Sequence, residues 1–442
     1  METILAPEKR VLFISKELIG ADLAYRLKKE GCKVKLFIEA ESDKQCFDGM
    51  VEKTANWEAE LGWVGKDGLI VFDDVGYGTI QDDLRAKGYL VIGGSADGDK
   101  LELDREYGQK ILKDSGVQVS KDFKTLHFTP QEAIDYIETH QGSWVIKHNT
   151  HNTSFTYVSV LEDGSDAIDV LTKYEASKTE GQEFSIQKKV TGVELAVGRF
   201  FNGNNWSGPI IINREHKHLC NDDIGPLGGE TGTLMWYETN ENNRLFQETL
   251  GKLELQLQKS NYKGYVDVNC IIPDQSSVYP LEITSRFGSC TNQLQSEIQI
   301  SKWYDFFCAL AKGEEFNLEY KTGFGINVAL TTPPFPYRIP GHEFSQQGTR
   351  IFFKETLTDN EINSLHFEDV AREAGANNSY YIAGNSGYIL YITGIGETVE
   401  EARESVYSLI KKIHIPKMFY RTDIGLPFMN KDYTLLKTWG WI

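Results

Sequence analysis

The chain has 442 residues, more than one hydrophobic core normally supports, so two to four domains are expected. Its formal net charge of −18 argues against nucleic acid or membrane partners, because nucleic acids and acidic membranes would be repelled. Six cysteines without a CxxC pair, and no apolar run of about 18 residues, predict a cytoplasmic protein with reduced thiols.

Strands and helices alternate over the first hundred residues. The pattern predicts strands at 9–15, 34–39, 68–73 and 89–93, and helices at 16–31 and 79–87. This alternation is typical of a doubly wound parallel sheet, in which ligands lie at the carboxyl ends of the strands. The first strand is followed by ISKELIGADLA, without the glycine-rich turn that exposes N–H groups to a phosphate. Asp73 and Asp74, after the third strand, would repel a phosphate.

Mixed α/β structure is predicted for the middle of the chain. Helices are expected at 101–115, 130–140, 165–174, 241–259 and 291–312. Strands are expected at 144–147, 157–161, 184–189 and 193–201. Residues 214–233, REHKHLCNDDIGPLGGETGT, are rich in glycine and charge, which predicts either a mobile loop over a substrate or a plain surface loop. Further strands and a helix at 397–413 are predicted towards the C-terminus.

Residues 264–288, GYVDVNCIIPDQSSVYPLEITSRFG, predict a β-hairpin. Asp267, Asn269, Glu282 and Thr284 alternate with apolar neighbours, so the polar side chains of each strand share a face. Carboxylate, amide and hydroxyl oxygens together form a plausible cradle for Mg²⁺ carrying nucleotide phosphates. Arg286 would then meet a phosphate or a carboxylate. The alternative is a hairpin with one solvated face.

Several segments resemble one family of enzymes. SGYILYITGIGETVEEARESVYSLIKKI at 386–413 and YRTDIG at 420–425 resemble the closing domain of the phosphoribosylamine–glycine ligases of purine synthesis, which are ATP-grasp enzymes. Residues 215–233 resemble that family's glycine-rich substrate loop, and PLEITSRFG at 280–288 resembles its E-x-N-x-R-F-G motif. The resemblance spans nearly the whole chain. It implies an N-terminal α/β domain at 1–100, an ATP-grasp domain at 101–315 with a small ATP-binding lobe inserted at about 122–190, and a C-terminal α+β domain at 316–442.

The resemblance also implies roles for individual residues. Lys147 matches the lysine that ends the ATP-binding strand, Glu194 the acid expected at the ribose, and Arg105 the first ATP-contacting lysine. The residues implied at ATP are Arg105, Lys147, Gln187, Val190, Glu194, Gly228 and Gly229. The implied metal ligands are Glu282, Asn269 and Thr284, the last standing where the family has asparagine. The residues implied in catalysis are Arg286, Lys217, His216 and Asp223.

The chemistry implied by this family is ATP-dependent amide formation assisted by Mg²⁺ or Mn²⁺. A carboxylate, of glycine or a related amino acid, becomes an acyl phosphate that an amine attacks, with phosphoribosylamine as one candidate amine. Arg286 would anchor the intermediate, while residues 222–232 would close over it. His216 and Lys217 would line the amine side, although a solvated pair of side chains is the alternative. Only small-molecule partners and a monomer or homodimer are expected.

Four departures from the family pattern keep three hypotheses open. The first strand lacks its glycine-rich turn, Asp73-Asp74-Val75-Gly76 replaces Gly-Pro-Glu, residues 148–154 contain no glycine, and Ser289-Cys290-Thr291 replaces Asp-Pro-Glu. The first hypothesis is a phosphoribosylamine–glycine ligase with a rebuilt sugar-phosphate pocket. The second is a diverged ATP-grasp ligase that joins an amino acid to another amine. The third is a catalytically silent binding protein with the same fold.

Overall fold

A computed structural model describes residues 8–119, 126–148, 156–176, 184–337, 346–373, 375 and 379–442. Most of the predicted loop at 148–154 therefore lies outside the described residues. No helix among the described residues is both long enough and apolar enough to cross a lipid bilayer.

The N-terminal part of the chain contains the predicted parallel sheet. Its elements are β1 (Arg10–Ser15), α1 (Ala21–Lys29), β2 (Lys33–Ile38), β3 (Glu52–Lys53), α2 (Leu61–Val64), β4 (Leu69–Phe72), α3 (Gly78–Ala86), β5 (Leu90–Ile92), α4 (Ala96–Leu103) and α5 (Arg105–Asp114). The strands are parallel and follow the order β3-β2-β1-β4-β5. All of β4 and nearly all of β1 are buried, because elements cover both faces of the sheet.

The prediction of a single helix at 101–115 is wrong, because the structure divides these residues into α4 and α5. Asp104 adopts an extended conformation between the two helices, and its side chain accepts a 3.0 Å hydrogen bond from the Tyr107 backbone N–H. A short polar side chain that caps a new helix competes with continuation of the old one.

The small lobe has its own sheet and core. Its elements are β6 (Leu126–Phe128), α6 (Pro130–Thr139), β7 (Trp144–His148), β8 (Thr156–Val158), α7 (Ser165–Ala176) and β9 (Phe184–Lys188). The antiparallel strand order is β6-β9-β7-β8. Helix α6 begins where predicted because Thr129 and Glu132 form a capping box and Pro130 occupies the first turn.

An eight-stranded antiparallel sheet forms the centre of the molecule. Its region contains β10 (Val193–Asn202), β11 (Trp206–His218), β12 (Leu227–Glu238), α8 (Arg244–Glu248), α9 (Glu254–Lys259), β13 (Lys263–Ile272), β14 (Tyr279–Thr284), α10 (Thr291–Ile298), α11 (Trp303–Lys312) and β15 (Phe324–Thr331). The predicted helices at 241–259 and 291–312 are each broken in two. In the second, the backbone N–H of Ile300 bonds to the Glu319 carbonyl instead of continuing the helix.

The prediction of a glycine-rich loop at 214–233 is wrong for most of these residues. Strands β11 and β12 form an antiparallel hairpin in which Glu215 pairs with Thr233 and His216 with Gly232. Only the tip, residues 219–226, remains outside the strands. The glycines hid the strand pattern because they have low strand propensity, although pairing with both neighbouring strands stabilises the extended backbone.

The C-terminal segment completes the same large sheet. It contains β16 (Phe352–Phe353), α12 (Asp359–Asn363), β17 (Leu365–Phe367), β18 (Val370–Arg372), β19 (Tyr380–Ile382), β20 (Tyr388–Gly396), α13 (Val399–Lys411), β21 (Ile413–His414) and α14 (Tyr433–Trp439). The sheet order is β14-β13-β10-β11-β12-β15-β20-β17. Strands β15, β20 and β17 therefore join the expected C-terminal domain to the central sheet by backbone hydrogen bonds.

Candidate active site

Polar side chains line one face of the β13–β14 hairpin. Asn269 pairs with Glu282, and Asp267 pairs with Thr284. Residues directly opposite each other in antiparallel strands project from the same face, as do residues two apart along a strand. The four side chains whose alternation was noted in the sequence therefore share one face, as expected.

The same polar face continues across β10 and β11. Ala196 pairs with Asn269 on one side and with Asn213 on the other. Glu194 is two residues before Ala196, and Glu215 is two residues after Asn213, so both project from this face. The sequence prediction did not include Asn213 and Glu215, although the alternation Asn213, Glu215, Lys217 was available as a strand signal.

Lys217 bridges two carboxylates on this face. Its Nζ lies 3.1 Å from Glu215 Oε2 and 3.5 Å from Glu282 Oε1. Glu282 Oε2 also lies 3.8 Å from Nη2 of Arg105, at the start of α5. Lys217, with help from Lys147 and Arg105, lowers the pKa of Glu282 to about 2 despite the opposing effect of burial. Glu282 is therefore ionised at neutral pH.

Lys147 approaches the same centre from the small lobe. It lies on β7, where it pairs with Ser185 and Thr156. Burial and the nearby charge of Arg105 lower the pKa of Lys147 to about 8, while Glu282 and Glu194 act in the opposite direction. Lys147, Lys217 and Arg105 thus meet Glu282, Glu194 and Glu215 where the two lobes face each other. This grouping is the candidate active site.

Gln187 and Val190 lie where the small lobe joins the large sheet. Gln187 is buried on β9 opposite Val145. Val190 is partly buried in the short link between β9 and β10. Both residues therefore lie on or directly after the last strand of the small lobe, and their roles at ATP stay predictions.

Arg286 follows β14 and is already ion-paired. Its Nε lies 3.0 Å from Glu102 Oε1 and 3.4 Å from Asp74 Oδ1, and its Nη1 donates to the Phe287 carbonyl at 3.0 Å. Burial alone would lower the pKa of Arg286, but Glu102 and Asp74 raise it. The partnership with Glu102 had no local sequence signal, because the two residues are 184 positions apart.

Comparison with known proteins agrees with this architecture. The model of the phosphoribosylglycinamide synthetase ATP-grasp (A) domain matches residues 103–291, and the model of the C domain matches residues 344–427. The phosphoribosylamine–glycine ligase of Helicobacter pylori is 25% identical over 403 residues, which cover 88% of this chain and 87% of that protein. The chain belongs to the phosphoribosylamine–glycine ligase family.

Solved structures show the same fold. The crystal structure of the Thermotoga maritima phosphoribosylamine–glycine ligase has a TM-score of 0.68 and 21% sequence identity, covering 94% of this chain and 100% of that one. The biotin carboxylase domain of 2-oxoglutarate carboxylase from Hydrogenobacter thermophilus has a TM-score of 0.63 and 11% identity, covering 97% of each chain. This member of the family is an ATP-grasp protein and an ATP-dependent, ADP-forming carboxylate–amine ligase.

The oxygen donors of the β13–β14 hairpin fit a divalent cation of the kind that ATP-grasp enzymes use. Glu282, Asn269 and Thr284 share one face and are each only partly buried. Among the described residues, no group of three or more His, Cys, Asp or Glu side chains is arranged to hold a metal ion. A single carboxylate with an amide oxygen and a hydroxyl oxygen beside it suits Mg²⁺, which is usually held by one or two carboxylates together with substrate phosphates and water.

The structure does not bring His216 and Asp223 to Glu282. His216 alternates with Glu215 and Lys217, so it projects from the opposite face of the sheet. Its Nδ1 lies 3.7 Å from Asp223 Oδ1, and burial lowers the pKa of His216. Asp223 also lies 2.7 Å from Arg421 Nη1. A role for this pair in catalysis stays a prediction.

Gly228 and Gly229 contact aromatic side chains of the C-terminal segment. The Tyr388 hydroxyl donates a short hydrogen bond to the Gly228 carbonyl. A Cβ at Gly228 would lie 2.9 Å from Phe335 Cζ, and one at Gly229 would lie 2.5 Å from Tyr388 Oη. Close packing therefore explains both glycines, and their role at ATP stays a prediction.

Arg421 connects the tip of the β11–β12 hairpin to the C-terminal segment. Its guanidinium is buried and lies 2.7 Å from both Asp223 and Asp423, and it donates to the His218 carbonyl at 3.0 Å. We expect Arg421→Met to lower the free energy of unfolding by about 3 kcal/mol, because removing one partner leaves Asp423 buried and unpaired. Urea denaturation would measure this loss.

The matched control is Arg350→Met, which removes an exposed arginine 2.6 Å from Glu373. This change should cost less than about 1 kcal/mol, because water screens the pair. Equal losses in the two variants would contradict the structural role given to Arg421.

Proposed function

We propose that this protein uses ATP to activate the carboxylate of glycine, or of a closely related amino acid, and joins it to an amine. The proposal rests on the meeting of Lys147, Lys217 and Arg105 around Glu282. Positive side chains grouped in this way neutralise the charge that builds up when a phosphoryl group moves. A catalytically silent binding protein would have no need to keep so many charges close together.

The reaction conserves atoms and charge in two steps. A carboxylate oxygen of the amino acid attacks the γ-phosphorus of ATP, the bond to the β-phosphate oxygen breaks, and ADP leaves. The amine nitrogen then attacks the acyl carbon, the bond between carbon and the phosphate oxygen breaks, and phosphate leaves while the amine proton passes to solvent. No side chain becomes a covalent nucleophile, so this chain contributes positioning and electrostatic stabilisation.

Particular side chains take particular parts in these steps. Lys147 and Arg105 hold the transferring phosphoryl group, while Lys217 orients Glu282 and balances its charge. Glu282, with Asn269 and Thr284, would hold Mg²⁺, which when bound supplies charge neutralisation at the β- and γ-phosphates. Glu194, two residues from Ala196 on the same face, would accept a hydrogen bond from a ribose hydroxyl of ATP.

Trapping with hydroxylamine tests the proposed activation without requiring knowledge of the natural amine. The full chain would be incubated with Mg·ATP, glycine and hydroxylamine, and ADP and glycyl hydroxamate would be measured. We expect both products in equal amounts only when glycine is present, because hydroxylamine attacks the acyl phosphate. Acetate in place of glycine is the control. The absence of both ADP and hydroxamate would overturn the proposed function.

A further inference from the structure

A cavity of about 490 Å³ lies at the end of the central sheet that is far from the candidate active site. Arg199 and Asn202 of β10 and Ser207 of β11 line it, whereas Glu194 stands near the start of β10. Arg199 follows Glu194 by five residues, about 16 Å along an extended strand. A cavity of this volume can hold a small molecule. It is separate from the charged groups around Glu282.

An irregularity in β11 opens the sheet at this cavity. Ile211 pairs with Gly198, and the next pair along the hairpin joins Ser207 to Phe200. Four residues of β11 therefore span the length of two residues of β10. Pairing between β11 and β12 begins only at Ile210, so the first residues of β11 have a gap on that side. Bulges of this kind redirect side chains and are frequent beside binding sites.

The hydroxyl group of Ser207 is buried in the wall of the cavity without a partner. Ser207 is only 6% exposed, and its Oγ has no hydrogen-bond partner among the described residues. The nearby Arg199 cannot serve it, because its Nε donates to the Gly208 carbonyl at 2.8 Å and its Nη1 and Nη2 donate to Glu241 at 2.8 and 3.0 Å. A buried hydroxyl without a partner is costly, and a ligand that bonds to Ser207 would offset that cost.

Carboxylates outnumber cations in the lining of the cavity. Glu238, Glu241 and Glu315 line it, and Arg199 is the cation among the lining residues that the structure describes. Glu241 offsets the charge of Arg199, since the two side chains form a bidentate pair. Glu238 and Glu315 then leave the cavity with a negative potential, which attracts a cation and repels an anion.

Aromatic side chains form the apolar part of the lining. Trp206, Phe316 and Tyr320 line the cavity and are each half-buried. Trp206 is held in place because its Nε1 donates to Glu254 at 3.1 Å, and Tyr320 packs edge-on against Tyr237 with ring centroids 4.8 Å apart. Aromatic rings supply apolar contact area, and their faces attract cations.

We infer that this cavity binds a small organic cation in which an aromatic or other apolar body carries a protonated amine. The apolar body packs against Trp206 and Phe316, and the ammonium group donates a hydrogen bond to Ser207 Oγ. Glu238 and Glu315 balance its charge. The ligand is bound and released unchanged, without any covalent step. Binding here does not depend on the ligase reaction proposed at the candidate active site.

Three probes of similar shape and different charge test this site. They are 2-phenylethylamine, 2-phenylethanol and 3-phenylpropanoate, and calorimetric titration of the full chain measures each Kd, with and without Mg·ADP. We expect the Kd of the amine to be about tenfold lower than that of the alcohol, with the carboxylate weakest, because only the amine meets the carboxylates as a cation. Mg·ADP should leave the Kd of the amine unchanged. Equal affinities, a preference for the carboxylate, or competition by Mg·ADP would overturn the inference.

Two variants locate the binding in this cavity. Ser207→Ala should raise the Kd of 2-phenylethylamine about tenfold, because a hydrogen bond to a charged group is lost. Glu315→Gln should raise it about threefold and leave the Kd of 2-phenylethanol unchanged, because the lost charge is at the exposed rim.

Glu314→Gln is the matched control, since Glu314 is exposed beside Glu315 but does not line the cavity. It should leave the Kd of the amine unchanged. Thermal unfolding would verify that each variant is folded. Folded Ser207→Ala and Glu315→Gln proteins that bind the amine as tightly as the unchanged chain would overturn the inference, as would an equal loss in Glu314→Gln.

Discussion

Replacing Glu282 with alanine should lower kcat/KM for ATP-dependent hydroxamate formation by about 100-fold or more, equivalent to about 3 kcal/mol of transition-state stabilisation. Glu282 is the carboxylate towards which Lys217 and Arg105 point, at 3.5 and 3.8 Å. Its removal takes away the proposed metal ligand and leaves these cations without their shared partner. Glu282→Gln should be equally impaired, because the charge rather than the shape is required.

The fold should survive the loss of Glu282. Its side chain is 41% exposed, so water screens the ion pairs and limits their contribution to stability. Thermal unfolding would verify this for each variant. Glu400→Gln on α13, which alters an exposed glutamate, is the matched control and should retain full activity. A folded Glu282→Ala protein with normal Mg²⁺-dependent turnover would contradict the proposed centre.

Replacing Lys147 with methionine should lower kcat/KM for ATP about 100-fold, mainly by raising KM. Lys147 is held at the end of β7 with its pKa lowered to about 8 by burial and Arg105. Only the protonated form attracts phosphate. The ATP affinity of the free enzyme should therefore fall as the pH rises through about 8. Bound ATP should shift this midpoint upwards, because the phosphates favour the ammonium form.

Lys147→Arg provides the informative comparison. Arginine stays protonated over the accessible range, so the KM for ATP should lose its dependence on pH between about 7 and 9.5 even if its absolute value rises. Lys173→Met on α7, which alters a lysine exposed on the same lobe, should change neither KM nor its pH profile. A pH profile in Lys147→Arg identical to that of the unchanged protein would assign the titration to another group.

Sequence patterns predicted the elements that local interactions specify. Strand β1, helix α6 and the β13–β14 hairpin appeared close to their expected bounds, since apolar runs, capping residues and turn residues act within a few positions. The helix breaks near Asp104 and Ile300 were missed. At Asp104 a cap begins a new helix, and at Ile300 a distant carbonyl takes the backbone N–H. At Ile300 a tertiary contact overrides helical periodicity, whereas at Asp104 a local cap competes with continuation of the helix.

Sequence alone predicted a parallel N-terminal sheet, a hairpin in which the polar side chains of each strand share a face, and the motifs of an ATP-grasp ligase. The register that sets Glu282 opposite Asn269 and Thr284 opposite Asp267 came from the structure. Only the tertiary structure decided which charges meet. It paired Arg286 with Glu102, turned His216 away from Glu282, and placed Asp73 on the donors of the first turn. Alternation fixes the face of a side chain because its period is local, whereas an ion pair depends on segments that only folding brings together.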